Sequence, residues 1–289
     1  MNFSSVTLLR ILAVCVGVGI GDRLAAEDTH GYLPIHGLSL YYEIHGDGSP
    51  LVLLHGGGST IESTYGRILP ALAKSHRVIA LELQAHGHTK DIDRPLSFEQ
   101  DADDVAAVLD ALKIAKADIM GFSNGGTTAL QLAIRHPEHV NKLVVASATF
   151  RREGMIAGFF EGFKGATLEK MMPEPLKQAY LKANPDPQGL QRMFDRDVAR
   201  MKAFKDIPDA EIRAIAAPTL VLNADQDVVL PEQALALFRL LPKAQLEILP
   251  GGHGEYLGEI GAQDPNSPVP QLVVATIDGF LARSDPIGR

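Results

Sequence analysis

The stretch 118–126, DIMGFSNGG, decides the fold of this 289-residue chain. An apolar run typical of a buried strand ends at Gly121-Phe122-Ser123, and an amphipathic run typical of a helix begins directly after it. A serine on such a sharp turn is held in strained backbone geometry, and the flanking Gly121 and Gly125 let neighbouring backbone approach closely. The free N–H groups and the dipole of the helix N-terminus favour a developing anion. Ser123 is therefore the candidate nucleophile.

Short apolar runs alternate with amphipathic runs along the rest of the chain. The apolar runs predict strands at 38–44, 50–54, 77–81, 118–121, 142–147, 219–223 and 245–249. The amphipathic runs predict helices at 61–74, 98–112, 124–135, 231–240 and 271–281, with Ser97 as the N-cap of the second. This alternation predicts an α/β fold with a mostly parallel, doubly wound sheet and helices on both faces. Right-handed crossovers would place the carboxyl ends of the strands at one edge, where ligands bind.

The segment 150–216 interrupts the alternation, because it contains no good strand and is cut into short helices by glycines and prolines. Its aromatic and methionine side chains predict a helical cap over the strand ends, inserted between a first core part, 27–149, and a second, 217–289. We expect four of its phenylalanines to line a substrate pocket: Phe150, Phe159, Phe160 and Phe163. The alternative is a set of peripheral helices whose aromatic side chains pack on one another.

The N-terminal stretch 1–26 differs in composition from the rest. One basic residue, Arg10, precedes the apolar run 11–20, and a polar stretch then ends at Ala25-Ala26. This order predicts a signal peptide and a secreted or periplasmic location. The apolar run is too short to span a bilayer comfortably, and an uncleaved anchor or a wrongly chosen start codon are the alternatives. The only cysteine, Cys15, lies in this stretch, so cleavage after it would leave a chain without thiols.

The charge of the chain limits its partners. The formal net charge is −8, and the basic residues form no cluster. Electrostatics therefore argue against nucleic acid or an anionic membrane as a partner. We expect instead a small-molecule substrate.

From about residue 32 to residue 280 the chain resembles the α/β-hydrolase family. The Ser123 turn matches the family's G-x-S-x-G nucleophile elbow between a strand and a helix. The run 55–58, HGGG, follows another apolar strand and resembles the family's oxyanion loop. The resemblance implies an oxyanion hole formed by the N–H groups of Gly57 and Asn124, with Gly58 as a third candidate. The histidine of this run is expected to hold the loop by hydrogen bonds.

The same resemblance supplies the other two members of a catalytic triad. Relatives place the acid on a loop after a strand, a few residues before a proline that opens a helix, and Asp227 stands four residues before such a proline. The rival Asp225 is expected to bind backbone N–H groups of that loop. His253, between two glycines after the last predicted strand, is the candidate base. The chain order serine, aspartate, histidine is the one expected for this fold.

The loop 82–89, ELQAHGHT, corresponds to a stretch that usually reads Asp-x-x-Gly-x-Gly-x-Ser in relatives, and it departs from that pattern at Glu82, Ala85 and Thr89. These changes leave the chemistry in place and put the local loop shape in doubt. His86 and His88 raise the question of a metal site, but no acidic or thiol partner stands at ligand spacing. We therefore expect a solvated loop, with neither a metal nor an organic cofactor required.

The resemblance implies a serine hydrolase that cleaves carboxylic esters of small or medium apolar substrates through an acyl-enzyme. Serine at the elbow speaks against the family's epoxide hydrolases and dehalogenases, which use aspartate there. Lactone hydrolysis uses the same groups and stays open. An iminopeptidase-like aminopeptidase also stays open, although such relatives carry tryptophan where Ser59 stands and this chain has no tryptophan. Glu153, Glu161 or Glu169 would then bind the amino terminus. A non-catalytic binding protein on the same fold is the alternative of another class.

Overall fold

The computed structural model describes residues 28–262 and 264–284, so the predicted signal peptide, 1–26, lies outside the described residues. At its centre is a sheet of eight strands. They are β1 Thr29–Ile35, β2 Leu38–His45, β3 Ser49–Leu54, β4 His76–Glu82, β5 Ala117–Phe122, β6 Val140–Ala146, β7 Thr219–Ala224 and β8 Ala244–Leu249. Their order is β1-β2-β4-β3-β5-β6-β7-β8. The pairs β1–β2 and β2–β4 are antiparallel, and the other pairs are parallel.

Helices cover both faces of this sheet. They are α1 Ile61–Tyr65, α2 Leu69–Leu72, α3 Phe98–Ala111, α4 Asn124–Arg135, α5 Phe159–Gly162, α6 Leu168–Met171, α7 Glu174–Ala183, α8 Pro187–Ala203, α9 Asp209–Ala214, α10 Pro231–Leu240 and α11 Val269–Leu281. The helices expected at 124–135 and 231–240 have those bounds. The helix expected at 61–74 is instead broken after Tyr65 into α1 and α2. No pattern predicted β1, an edge strand with a proline and several exposed residues.

The central strands carry apolar side chains on both faces, which explains the unbroken apolar runs in the sequence. Leu54, Ile119 and Val145 belong to the cluster that includes the buried faces of α3 and α4. Their neighbours Leu53 and Met120 belong to the cluster on the opposite face, with α1, α2 and α11. Side chains alternate along a strand, so a strand is apolar throughout only where both faces are covered. The prediction of a mostly parallel sheet between two helical layers is confirmed.

Helices α5 to α9, which we call the cap, lie between β6 and β7, within the segment 150–216. A third apolar cluster joins them to the core: Met193 and Phe194 of α8 share it with Phe98 at the start of α3 and with Ala85. The rings of Phe98 and Phe204 meet edge-on at 5.9 Å between centroids. The cap therefore packs both on itself and on the loop that follows β4. In the described part of the chain, none of the helices has the length and apolar character needed to cross a membrane.

Ser97 caps α3 as expected, since its Oγ accepts the N–H of Gln100 at 3.1 Å. Ser97→Ala removes this acceptor, so we expect the free energy of unfolding to fall by about 1 kcal/mol. Ser97→Asp keeps an oxygen at the same place and serves as the matched control. Urea denaturation measures the difference, and an alanine variant as stable as the aspartate variant would contradict the role of the cap.

Candidate active site

Ser123 lies on the turn between β5 and α4, in a backbone conformation that few non-glycine residues adopt, with φ 54° and ψ −119°. The backbone around it is tightly packed. A Cβ at Gly121 would lie 2.1 Å from the carbonyl oxygen of Gly125, and one at Gly125 would lie 2.2 Å from that of Leu54. The two glycines therefore permit the turn. The surrounding structure holds Ser123 in a conformation that costs roughly 1–3 kcal/mol.

Three side chains predicted to act together meet at the carboxyl edge of the sheet. His253 Nε2 lies 3.0 Å from Ser123 Oγ, and His253 Nδ1 lies 2.7 Å from Asp227 Oδ1. The serine, histidine and aspartate follow β5, β8 and β7, whose parallel ends share that edge. Asp225, the rival acid, instead accepts the N–H of Gly251 at 2.9 Å. Such a series can pass a proton from the hydroxyl to the imidazole while the carboxylate holds the ring.

The surroundings keep Asp227 ionised and His253 basic. Burial raises the pKa of Asp227, but the hydrogen bond and charge of His253, followed by bonds from Ser147 and from the N–H of Val229, outweigh it and hold this pKa below its usual value. Burial lowers the pKa of His253, and the hydrogen bond and charge of Asp227 outweigh it, so that this pKa lies above its usual 6.5. The carboxylate therefore stabilises an imidazolium, as a base that takes up a proton requires.

Two buried hydroxyl groups that the sequence analysis missed support the carboxylate. Ser147 Oγ donates to Asp227 Oδ2 at 2.5 Å and lies 2.6 Å from the hydroxyl of Tyr256. Burial, followed by the charge of Asp227, raises the pKa of Tyr256 well above 10.0, so the phenol keeps its proton. Ser147 also has a positive φ of 47°, unusual for a residue with a side chain. Its place at the carboxyl end of a predicted core strand was the one available signal.

The two predicted oxyanion donors lie side by side. A Cβ at Gly57 would lie 2.3 Å from Nδ2 of Asn124, so a larger residue here would displace that side chain. Among the described residues, neither backbone N–H donates a hydrogen bond, and both residues line the same cavity as Ser123. Gly58, the third candidate, does not fit this role, because its N–H donates to the carboxylate Oδ2 of Asp197 at 2.8 Å.

His55 has the structural role expected of it. Its Nδ1 donates to the carbonyl of Gly56 at 2.7 Å, and its Nε2 accepts the N–H of Leu83 at 3.1 Å. Burial, and then the charge of His86, lower the pKa of His55 to about 3, which agrees with a neutral ring. His55 thus ties the start of the oxyanion loop to the loop after β4.

His86 does not lie on a solvated loop as expected, because the cap covers it. Its side chain is 1% exposed, and its ring nitrogens contact the carbonyl of Gln84 at 2.9 Å and Asp197 Oδ2 at 3.0 Å. His88 is partly exposed and bonds to Glu82 at 2.9 Å. In the ranges 28–262 and 264–284, no group of three or more His, Cys, Asp or Glu side chains is placed to hold a metal ion.

A cavity of about 190 Å³ lies between the cap and the Ser123 turn. Apart from the oxyanion loop and the Ser123 turn, its lining comes from the cap: Phe159, Phe163, Met171, Met172, Pro173, Leu176, Met193, Phe194, Asp197, Val198 and Met201. Four of the seven methionines of the chain are among them. Unbranched, polarizable methionine side chains adapt to ligands of different shape. The cavity therefore suits an apolar group without fixing its outline.

Two of the four predicted pocket phenylalanines lie elsewhere. Phe159 and Phe163 line the cavity, as expected. Phe150 is wholly buried in the core cluster of α3 and α4 instead, since it follows β6 before the chain reaches the cap. Phe160 turns away and stacks on Phe204 at 5.7 Å between ring centroids. The prediction is therefore wrong for Phe150 and Phe160.

The family model of the alpha/beta hydrolase fold matches residues 49–202. The chain belongs to this α/β-hydrolase family. A curated relative of this α/β hydrolase is 2-hydroxymuconate semialdehyde hydrolase from Pseudomonas sp. (strain CF600). The two are 32% identical over 224 residues, which cover 70% of this chain and 79% of the relative.

Solved structures of hydrolases resemble the α/β hydrolase over most of its length. A meta-cleavage product hydrolase from Pseudomonas fluorescens IP01, complexed with acetates, superposes with a TM-score of 0.69 and 25% identity, covering 86% of this chain and 97% of that chain. Est816, described as an N-acyl homoserine lactone degrading enzyme, superposes with a TM-score of 0.66 and 27% identity, covering 87% of this chain and 100% of that chain. These relatives support a hydrolase activity.

Ser147→Ala removes one donor from the buried carboxylate of Asp227. A hydrogen bond to a charged group contributes about 1.5–3 kcal/mol, so we expect a fluorophosphonate to label Ser123 about tenfold more slowly in this variant. Ser147→Gly loses the same hydroxyl, so Ser123 should be labelled as slowly as in the alanine variant. Glycine adopts a positive φ without strain, so the free energy of unfolding should be roughly 1 kcal/mol higher than in the alanine variant. Labelling kinetics and urea denaturation measure the two effects. Labelling of both variants at the wild-type rate would refute the support of Asp227 by this hydroxyl.

Proposed function

We propose that this α/β hydrolase cleaves carboxylic esters through an acyl-enzyme, with Ser123 as nucleophile, His253 as general base and Asp227 as the orienting acid. The observation that carries the proposal is the unbroken hydrogen-bonded series from Asp227 through His253 to Ser123, which ends at the floor of the apolar cavity. A series of this geometry is the arrangement that activates a serine hydroxyl.

In the proposed reaction, His253 takes the proton of Ser123 as Oγ attacks the ester carbonyl. The tetrahedral oxyanion is stabilised by the N–H groups of Gly57 and Asn124 and by the N-terminus of α4, and each such donor lowers the barrier by about 3 kcal/mol. His253 then protonates the leaving alcohol. Water, activated by the same imidazole, hydrolyses the acyl-enzyme.

The lining of the cavity favours an uncharged, apolar substrate of small or medium size. Asp197 is the one charged residue in that lining, and its carboxylate is already bound by Gly58, His86 and Arg200. Among the described residues, the lining of this cavity offers no cationic side chain to pair with a substrate that bears a carboxylate, such as the muconate semialdehyde named for the curated relative. Glu153, Glu161 and Glu169, the candidates for binding an amino terminus, are absent from the lining, which weakens the aminopeptidase alternative. Lactones are the second candidate class, favoured by the likeness to Est816.

We also propose that the enzyme is secreted or periplasmic, on the basis of the composition of residues 1–26. The basic residue, the apolar run and the small residues at its end support export as a secreted or periplasmic protein. N-terminal sequencing of the exported protein decides between cleavage after Ala26 and an uncleaved anchor.

Ser123→Ala removes the nucleophile, so we expect kcat/KM for short-chain p-nitrophenyl esters to fall by roughly 10⁴-fold or more. The exposed Ser75→Ala on the opposite side of the fold is the matched control and should retain wild-type rates. A panel of p-nitrophenyl esters, lactones, aminoacyl anilides and a dienoate assayed in parallel assigns the substrate class. Equal ester rates in wild type and Ser123→Ala would rule out this nucleophile.

The pH dependence follows from the raised pKa of His253. The base must be neutral to accept a proton, so kcat/KM should fall as the pH drops through that pKa, with its midpoint above 6.5. Asp227→Asn removes the hydrogen bond to a charge that raises this pKa and leaves the burial that lowers it. We expect the acid limb to move to lower pH and the plateau to fall by roughly 10⁴-fold. A limb that stays in place in the variant would contradict the pairing.

A further inference from the structure

Four buried ionisable side chains form a hydrogen-bonded chain between α8 of the cap and two parts of the core, the loop after β4 and α3. Asp197 Oδ2 lies 3.0 Å from His86 Nε2, and Asp197 Oδ1 accepts from Arg200 at 2.5 Å. Arg200 also donates to Asp101 on α3 at 2.7 Å. The side chains of His86, Asp197, Arg200 and Asp101 are 1%, 13%, 3% and 1% exposed. Asp197 is therefore held between the imidazole of His86 and the guanidinium of Arg200.

His86 is a proton donor in this chain of groups. Its Nδ1 faces the carbonyl oxygen of Gln84 at 2.9 Å and its Nε2 faces the carboxylate of Asp197 at 3.0 Å, while the N–H of Gly58 lies farther from Nε2, at 3.3 Å. Burial lowers the pKa of His86, and the charge and hydrogen bond of Asp197 outweigh it, so this pKa is raised. The charge of Asp197 thus favours the protonated ring, and the ring links the carboxylate to the loop after β4.

The same carboxylate holds the oxyanion loop. Asp197 Oδ2 accepts the N–H of Gly58 at 2.8 Å, one residue beyond the proposed donor Gly57. The opposite side of that peptide unit contacts Ser59, whose Oγ lies 3.4 Å from the carbonyl oxygen of Gly57 and donates to Glu259 at 3.0 Å. Gly58 has a φ of +67° in a run of three glycines, a backbone with little conformational preference of its own. The orientation of the Gly57–Gly58 peptide therefore depends on side-chain contacts, of which the shorter comes from Asp197 of the cap.

We propose that Asp197 of the cap is a positioning residue for the oxyanion hole: by binding the N–H of Gly58 it orients the Gly57–Gly58 peptide. Through the Cα of Gly57, this restrains the neighbouring Gly56–Gly57 peptide, whose N–H points at the developing oxyanion. The inference rests on the proposed function, because an oxyanion hole acts in acyl transfer. Asp197 acts through the backbone and not as a substrate ligand, since its two oxygens already accept from Gly58, His86 and Arg200.

The test compares Asp197→Asn with Asp195→Asn. Asp195 is an exposed carboxylate on the same helix that accepts a hydrogen bond from Gln191 at 2.9 Å. The readout is the rate constant for labelling of Ser123 by a fluorophosphonate, which needs the nucleophile and the hole but no knowledge of the natural substrate. We expect Asp197→Asn to label at least tenfold more slowly and Asp195→Asn to label like wild type. On p-nitrophenyl esters, kcat should fall at least tenfold in Asp197→Asn while KM changes less than threefold.

The amplitude of labelling measures the fraction of enzyme that is folded, whereas the rate constant depends on the geometry of the oxyanion hole. Partial unfolding of Asp197→Asn would therefore lower the amplitude but not the rate constant. If its amplitude is zero, Asp197→Glu keeps the negative charge for His86 and Arg200 but moves the oxygen away from Gly58, and the same slowing is expected. A wild-type rate constant and kcat in the folded variant would overturn the positioning role. A wild type that is not labelled would instead overturn the proposed function.

Discussion

Asp227 and His253 meet because β7 and β8 are neighbours in a parallel sheet whose strands end at one edge. Backbone hydrogen bonds continue the ladder just past the strand ends: the N–H of Ser123 donates to the carbonyl of Ala146, and the N–H of Ser147 donates to that of Leu222. Each loop thus leaves the sheet from a fixed register. A slip of one residue in any of these strands would turn its side chain to the other face and break the series.

Local patterns along the chain predicted most of the sheet and the position of the Ser123 turn between β5 and α4. The bounds of α4 and α10 were found because a sharp turn at Ser123 and a proline at residue 231 mark the helix starts in the sequence itself. Ala85 shows where such patterns mislead. It stands where relatives have glycine, and it nevertheless adopts a positive φ of 70°. Its side chain is buried in the cap cluster, so packing overrides the conformational preference of the residue.

The remainder of the site depends on contacts between distant parts of the chain, which no local pattern contains. Ser147 and Asp227 are 80 residues apart, and Gly58 and Asp197 are 139 residues apart. The pocket phenylalanines illustrate the same limit, since Phe159 and Phe160 are adjacent in sequence and face different surroundings. Composition indicated an apolar cap. The rotation of each short helix about its axis, and its position on the core, decide which side chains enter the cavity. His86 was assigned to solvent because the element that buries it comes over a hundred residues later.

The buried ion pairs of Arg200 beside the apolar cavity also limit how the cap packs on the core. Replacing a complete buried ion pair by apolar groups is often neutral or stabilising, whereas leaving one charge unpaired costs about 3–5 kcal/mol. The buried charge of Arg200 is paired here, because Asp101 and Asp197 both bind its guanidinium. The guanidinium also lies over the ring of Phe98, 4.8 Å from the centroid. The adaptable methionines constrain the position of the cap little, whereas the hydrogen bonds of Arg200 require α8 to lie against α3. Helix α8 therefore contributes apolar residues to the lining of the cavity, and its ionic residues bind the oxyanion loop through Asp197 and α3 through Arg200.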